Sequence, residues 1–555
     1  MKKFTKLLGI VLIIALVMSM GITALAAGTR TITITPPTNT PSGVTNSYNI
    51  YKVFDAVADA NGNISYTLMA GKSAPIIKDA DTSLSKFDVD TAGNVHYYTR
   101  ESASAEWVVK TTAGGTLTAD DIAALAAYVN GDTAKYTATS KGTTNAVAEN
   151  VEDGYYFITT STGSAVTVDS TTPNATVIDK NTIPDIEKTV QEDSLVAAAA
   201  SGADGDGVTA YQKQNDVEIG QKVYYKTVVS AKPNGKGYVV YDKMDSALDF
   251  VENSIKIYEG SISDSNLLTL NTEYTVAYTG KYMKGSSAGT ATESGDATFI
   301  ITFADAYLDT ITEATNIIIL YEATLNNTAV VNTGYLNDTT LKYGNETSNY
   351  SNEKETKTYT WGIDVTKQDG TDNTKKLAGA EFVIYRTETV TSGEGPEATT
   401  TTNIYYATFT NNKLTGWSAA DTKALADLYK EESSYFTGKG ATVLTTGSDG
   451  KITVGGLDEG TYGMIETKAP TGYNKLATSV DVTINSTSDE TVAQSLTNPI
   501  SAETSGNKTV TVDNNKGTEL PSTGGIGTTI FYVVGSILVV AAGVLLITKK
   551  RMGRE

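Results

Sequence analysis

Cysteine is absent from the 555 residues, and histidine occurs once, as His96. The first absence leaves the chain without disulfides and without a thiol nucleophile. With a single histidine as well, neither a Ser-His-Asp nor a Cys-His constellation can be assembled convincingly. No paired carboxylate or metal signature stands at a recognisable spacing. Positive charge is also scarce: 43 Lys and Arg face 63 Asp and Glu, for a net charge of −20. So acidic a surface repels phosphate backbones and anionic membranes, so no nucleic-acid partner is expected.

Two acidic segments come closest to cation sites, and each lacks a required part. Asp81-Thr-Ser-Leu-Ser85 has the D-x-S-x-S pattern of metal-dependent adhesion sites, but Lys78-Asp79-Ala80 is not the buried strand that must precede it. Gly202-Ala-Asp-Gly-Asp-Gly207 lacks the bidentate Glu expected at position 12 of a calcium loop. No metal and no cofactor are expected.

What the sequence does have stands first at its ends. Lys2, Lys3 and Lys6 precede the apolar run Leu7 to Met20, and Ala24-Leu25-Ala26 offers a small-residue cleavage site. Residues 1–26 therefore read as a secretory signal peptide. At the other end, Ile526 to Thr548 is an uncharged run of 23 residues. As a helix it is long enough to cross the roughly 30 Å hydrocarbon core of a bilayer. Lys549, Lys550, Arg551 and Arg554 follow, a cluster that stays on the cytoplasmic side.

Between the ends, Thr, Val, Ile, Tyr and Gly in alternating runs predict an all-β chain of three tandem Ig-like sandwiches, arranged as a rod. The first domain, 27–182, opens on Thr31–Thr35 and continues with Tyr48–Phe54. Alternation puts Tyr48 and Ile50 on one face, and Tyr51 and Val53 on the other. One helix is expected, with Thr118 as N-cap, Asp120 and Asp121 in its first turn, and Ile122, Leu125 and Val129 at helical spacing. Gly154–Ile158 and Asn174–Ile178 read as late strands. The second domain, 183–355, opens on Ile186–Val190, with further strands at Gln221–Val229, Gly237–Tyr241 and Asn316–Leu325. A polar stretch, Asn345–Thr358, reads as the link to a third domain, 356–517, whose first strand is Trp361–Lys367. Residues 518–555 complete the chain.

Leu520-Pro521-Ser522-Thr523-Gly524, the apolar run and the basic tail stand in the order of the cell-wall sorting signal of Gram-positive surface proteins, which they resemble. The resemblance implies that a sortase attacks the Thr523 carbonyl, releases Gly524 onward and passes Thr523 to an amine. The mature chain then runs from about Ala27 to Thr523, with a charge near −26 once the net +3 at each end is removed.

The third domain adds a second resemblance. Lys367-Gln-Asp369, Leu377-Ala-Gly-Ala-Glu-Phe382 and Tyr462-Gly-Met-Ile-Glu-Thr-Lys-Ala-Pro-Thr-Gly-Tyr473 are similar to the collagen-adhesin B-type domain of Gram-positive pilins. Tyr462 to Tyr473 corresponds to the pilin E-box, with Met464 where that motif has Leu. The resemblance implies a spontaneous amide between Lys367 and an Asn of the last strand, assisted by Glu466. Asn514 fits that position, and Asn498 and Asn515 are alternatives. The amine must be neutral to attack, and an apolar interior favours the neutral form. Packing holds amine and carboxamide together, so proximity drives a single turnover. The bond closes a loop of about 148 residues, worth about 5 kcal/mol as an upper figure on the disulfide chain-entropy estimate.

The middle domain resembles the A-type counterpart. Lys188 takes the first-strand position and Asp242 the acid position, with Asn326 of Tyr321-Glu-Ala-Thr-Leu-Asn326 as the amide partner and Asn337 and Asn345 open. The first domain has neither an opening-strand lysine nor an E-box, so no internal bond is expected there. Val177-Ile-Asp-Lys180-Asn181 resembles the pilin motif of backbone subunits, keeping Val, Lys and Asn but replacing Tyr and Pro by Ile178 and Asp179. These resemblances together imply a major pilin, a structural subunit and not an enzyme, joined Thr523 to Lys180 of the next copy. The partners implied are a class C sortase, a housekeeping sortase, further copies head to tail, minor pilins, peptidoglycan and host surface ligands. The alternative is a monomeric wall-anchored adhesin, or a tip or basal pilin, which has no need of Lys180.

Overall fold

The computed structural model describes residues 30–552 apart from 39, 59–63, 73–84, 93, 100–101, 103, 107, 110–124, 161–164, 170–173, 180–182, 193–210, 234, 345–348, 393–398, 487–495, 497–506 and 518–525. The two candidate cation loops, apart from Ser85, and the start of the expected helix therefore lie outside the described residues, as do Lys180, Asn345, Asn498 and Leu520 to Gly524.

The chain is mostly β, and its sheets fall into three sequence blocks. In the first, Ile32–Thr35 pairs in parallel with Ala175–Ile178 and antiparallel with Ala146–Ala148. A second sheet is centred on Thr45–Ala58, with Gly154–Thr160 along one edge and Tyr136–Lys141 then Ile64–Leu68 along the other. Alternation fixes its two faces. Tyr48 and Ile50 pack against Ile32, Ile34 and Val177, while Tyr51 and Val53 join Leu125, Val129 and Phe157 on the far side. A bulge between Lys52 and Phe54 adds Phe54 to that far face. Leu125 to Val129 are helical, as their spacing predicts.

The middle block is a two-layer sandwich. One sheet carries Asp185–Gln191, Lys222–Ala231 and Thr315–Leu325 side by side. The other carries Lys354–Tyr359, Tyr335–Tyr343, Val239–Met244 and Phe299–Phe303. Aliphatic and aromatic side chains of the inner faces fill the space between, among them Val229, Phe299, Ile319 and Tyr321. Each contributes about 1.5–3 kcal/mol by burial.

In the last block, Trp361–Asp369 lies between Lys451–Leu457, antiparallel, and Asn507–Asn514, parallel. The long strand Thr399–Thr410 pairs first with Glu381–Ser392 and then with Lys413–Trp417, so it passes from one layer to the other. Trp361, Phe382, Met464 and Val512 close the core.

The expected polar linker ending at Thr358 is not a linker at its C-terminal end. Lys354–Tyr359 is a strand of the middle sheet, and Thr360 alone separates it from Trp361–Asp369. Its alternating Thr356 and Thr358 are buried, which a polarity reading could not reveal. The two blocks also clasp each other. Val217 donates its backbone N–H to Tyr359 O at 3.0 Å within the middle block, and Ile219 donates across to Gly456 O at 2.9 Å. Trp417 Nε1 donates to both carboxylate oxygens of Glu218, at 3.0 and 2.9 Å, and Arg386 pairs with the same carboxylate at 3.1 Å. Ile526–Met552 is one 27-residue helix, about 40 Å long at 1.5 Å per residue, with Phe531, Leu538 and Leu546 exposed.

Candidate functional site

Two buried lysines, one in each of the last two blocks, define the candidate sites. Strand alternation turns both inward, where an ammonium group is costly unless it is paired or loses its proton.

In the middle block, Lys188 is wholly buried among Tyr225, Tyr321 and Asp242. Its Nζ lies 2.6 Å from Asp242 Oδ2, across the sandwich, and also donates to the Tyr321 hydroxyl. Tyr321 in turn donates to the same Asp242 oxygen at 2.7 Å. Asn337, also wholly buried, places Nδ2 3.4 Å from the Tyr321 oxygen. Neither Asn337 Oδ1 nor Asp242 Oδ1 has a hydrogen-bond partner among the described residues. Desolvation lowers the affinity of Lys188 for its proton, opposed by Asp242, and desolvation raises that of Asp242. Both directions favour a neutral amine beside a protonated acid.

The structure does not bring Asn326 into this cluster. Tyr321, Ala323 and Leu325 point inward, so Asn326 falls out of phase, at the strand end. Its amide donates to Ser246 O and Asp249 Oδ1, both at 2.8 Å. Asn337 occupies the interior place because it is in phase with Tyr335, Leu341 and Tyr343, all buried. That alternation was present in Tyr335-Leu-Asn-Asp-Thr-Thr-Leu-Lys-Tyr343 and was the signal that could have selected it. Nothing in the sequence marks Tyr321 for this cluster, since a strand tyrosine reads as core.

In the last block the structure gathers Lys367, Glu466 and Asn514, all buried. Parallel pairing sets Lys367 opposite Val512 and Asp369 opposite Asn514, so the lysine and the asparagine share a face two positions apart. Lys367 Nζ donates to Val512 O at 2.9 Å. Asn514 Nδ2 donates to Glu466 Oε2 at 3.0 Å and to Asn474 O. The Leu476 N–H also donates to Glu466 Oε2, at 2.7 Å, which fixes the carboxyl. Glu466 Oε1 and Asn514 Oδ1 have no hydrogen-bond partner among the described residues. Burial pushes the Lys367 amine down to about 8, against the opposing pull of Glu466 and Asp513. Tyr473, last residue of the E-box-like segment, donates to Asp369 Oδ2 at 2.7 Å and ties that segment to the lysine strand. Asn515 is exposed.

Each cluster therefore unites an amine, a carboxyl group and a carboxamide in a desolvated space, the parts that a transamidation needs. In the first block, Asp179, the residue before Lys180, is buried and accepts from the Tyr48 hydroxyl at 3.0 Å. Its backbone N–H donates to Thr35 O at 2.8 Å.

Residues 362–499 match the family described as SpaA, a prealbumin-like fold domain, and residues 512–552 match the LPXTG cell wall anchor motif. Among curated proteins none matches the sequence. Solved structures similar to the chain include the group B streptococcus pilus 2b backbone protein, at 23% identity over 56% of this chain and 98% of that one, with a TM-score of 0.37. The T6 backbone pilin of serotype M6 Streptococcus pyogenes is 16% identical over 88% and 99%, with a TM-score of 0.41. The major pilin SpaD of Corynebacterium diphtheriae is 17% identical over 89% and 100%, with a TM-score of 0.38. The chain thus carries a prealbumin-like domain followed by an LPXTG anchor and an apolar helix, the ending of a cell-wall-anchored surface protein.

Proposed function

We propose that this chain is the repeating backbone subunit of a covalent surface fibre, a pilus that serves adhesion and colonisation. A sortase cleaves after Thr523 and joins its carbonyl to Lys180 of another copy, so that subunits add head to tail in a contact that does not close into a ring. The wall-anchoring step hands the last subunit to peptidoglycan. The chain is the substrate of these reactions and catalyses only its own internal bonds, once each.

Those bonds join Lys188 to Asn337 and Lys367 to Asn514, with Asp242 and Glu466 as the respective acids. The neutral amine attacks the amide carbon, the N–C bond to the lysine forms, the bond to Nδ2 breaks and ammonia leaves. The observation that carries the reading is the pair of sealed lysine, acid and asparagine clusters, each linking early and late strands of its block. Clamping those strands places tensile load on covalent bonds instead of strand hydrogen bonds, a role that disulfides fill in other exported proteins.

Peptide mapping of fibres released from the cell wall tests the reading. A branched peptide joining the Thr523 carbonyl to Lys180 Nζ is expected. Wall material with Thr523 attached only to peptidoglycan fragments would replace the fibre subunit with a solitary surface adhesin.

A further inference from the structure

The middle cluster contains a group that the simple scheme of amine, acid and amide leaves unused. The Tyr321 hydroxyl contacts Lys188 Nζ, stands 2.7 Å from Asp242 Oδ2 and 3.4 Å from Asn337 Nδ2, and so touches all three partners. Its ring is held on both sides, stacked on Tyr225 at 5.3 Å and edge-on to Phe299 at 4.9 Å. Thr227 Oγ1 lies 3.5 Å from the same hydroxyl. In the cluster of the last block, among the described residues, Lys367 Nζ bonds instead to a backbone carbonyl, and the Tyr473 hydroxyl bonds to Asp369.

Resting on the proposed Lys188–Asn337 bond, we infer that Tyr321 is a catalytic residue of that reaction, carrying a proton from the attacking amine to the departing amide nitrogen. Attack makes Nζ positive while the amide nitrogen must gain a proton to leave. Nζ gives a proton to the phenol oxygen, and the hydroxyl, turning about its C–O bond, gives its own to Nδ2. The Nζ–Cγ bond has formed, the Cγ–Nδ2 bond breaks, ammonia departs and the phenol is regenerated. Asp242 protonates and stabilises the carbonyl oxygen during the same event and takes no net charge. Burial and the neighbouring Asp242 hold the phenol far above its ordinary pKa, so it keeps the proton this role requires.

The mature chain made by cell-free translation, quenched in denaturant at intervals and weighed intact, follows the loss of each ammonia, and digestion assigns it to a cross-linked peptide. Tyr321→Phe is expected to slow formation of the Lys188–Asn337 peptide at least about a hundredfold, the lower end of general acid–base effects. The Lys367–Asn514 peptide should form at the wild-type rate. Tyr238→Phe, a buried tyrosine of the same block whose hydroxyl accepts from the Lys232 N–H instead, should cross-link like wild type. Site-specific 3-fluorotyrosine at 321 keeps shape and hydroxyl but acidifies the phenol, and it should change the rate of this one bond severalfold. A Tyr321→Phe or 3-fluorotyrosine chain that cross-links at the wild-type rate overturns the role of Tyr321. A wild-type chain lacking the Lys188–Asn337 peptide overturns the underlying bond itself.

Discussion

Lys188 Nζ lies 2.6 Å from Asp242 Oδ2, and both side chains are sealed from solvent between the two sheets of the middle block. A buried ion pair is a weak source of stability, because desolvation of the two charges offsets most of their attraction. Its chemistry is more telling than its energy: proton transfer from amine to acid yields two neutral groups beside a carboxamide.

The wild-type ectodomain should weigh two ammonias less than its sequence. Asn337→Ala and Asp242→Ala should each restore one ammonia, while Asn326→Ala should leave the mass deficit at two, since that side chain is engaged with Ser246 and Asp249. Intact-mass spectrometry distinguishes these outcomes directly. Loss of the middle cross-link opens a loop of about 150 residues and should cost about 5 kcal/mol or less on the chain-entropy estimate.

Lys367→Ala, Glu466→Ala or Asn514→Ala should restore one ammonia from the last block and leave the middle bond formed. Because Lys367 is pushed down to about 8, its reactive neutral form grows as pH rises towards that value. The rate of the Lys367–Asn514 bond in freshly made chain should therefore climb from pH 6 to 8 and flatten above. A rate that falls over that interval would contradict a free amine as the nucleophile.

The junction between the last two blocks should weaken as pH rises. Asp216 is buried there, accepts from Trp361 Nε1 and Ser486 Oγ, and is pushed up to about 7, chiefly by desolvation and then by Glu459. A carboxyl raised above its unfolded value takes up a proton on folding, so the stability it adds is complete below about pH 4 and is lost as pH passes through about 7. Thermal unfolding of the ectodomain should show that slope, and Asp216→Asn should flatten it.

Glu218 should hold the same junction together by a different route. Glu218→Ala removes the acceptor for Trp417 Nε1 and the partner of Arg386, leaving a half-buried indole N–H without its bond. A loss of about 1–3 kcal/mol at this joint is expected. Limited proteolysis near Thr360 should accelerate while both internal amides remain.

Much of this was legible in the sequence because alternation of period two decides which strand residues face inward. Lys188, Asp242, Lys367, Glu466 and Asn514, which the resemblance singles out, are all buried. Asn326 is the choice that resemblance to the family's late strand makes, yet phase decides burial, and phase selects Asn337. Tyr321 was hidden by its type, since only the partners of its hydroxyl separate it from an ordinary core tyrosine. The polar strand Lys354–Tyr359 escaped recognition because two of its buried positions are threonines, Thr356 and Thr358, the latter bonded to Asn215. The clasp around Glu218 depends on residues about 170 to 200 positions apart, which no local pattern relates.

The fibre itself is tested most directly by immunoblotting cell-wall extracts, boiled in detergent, from cells carrying the wild-type chain or Lys180→Ala with the sortase active. The account expects a high-molecular-weight ladder from the wild type and single-subunit species from the variant. Single-subunit species alone from the wild type, or an undiminished ladder from Lys180→Ala, would contradict it.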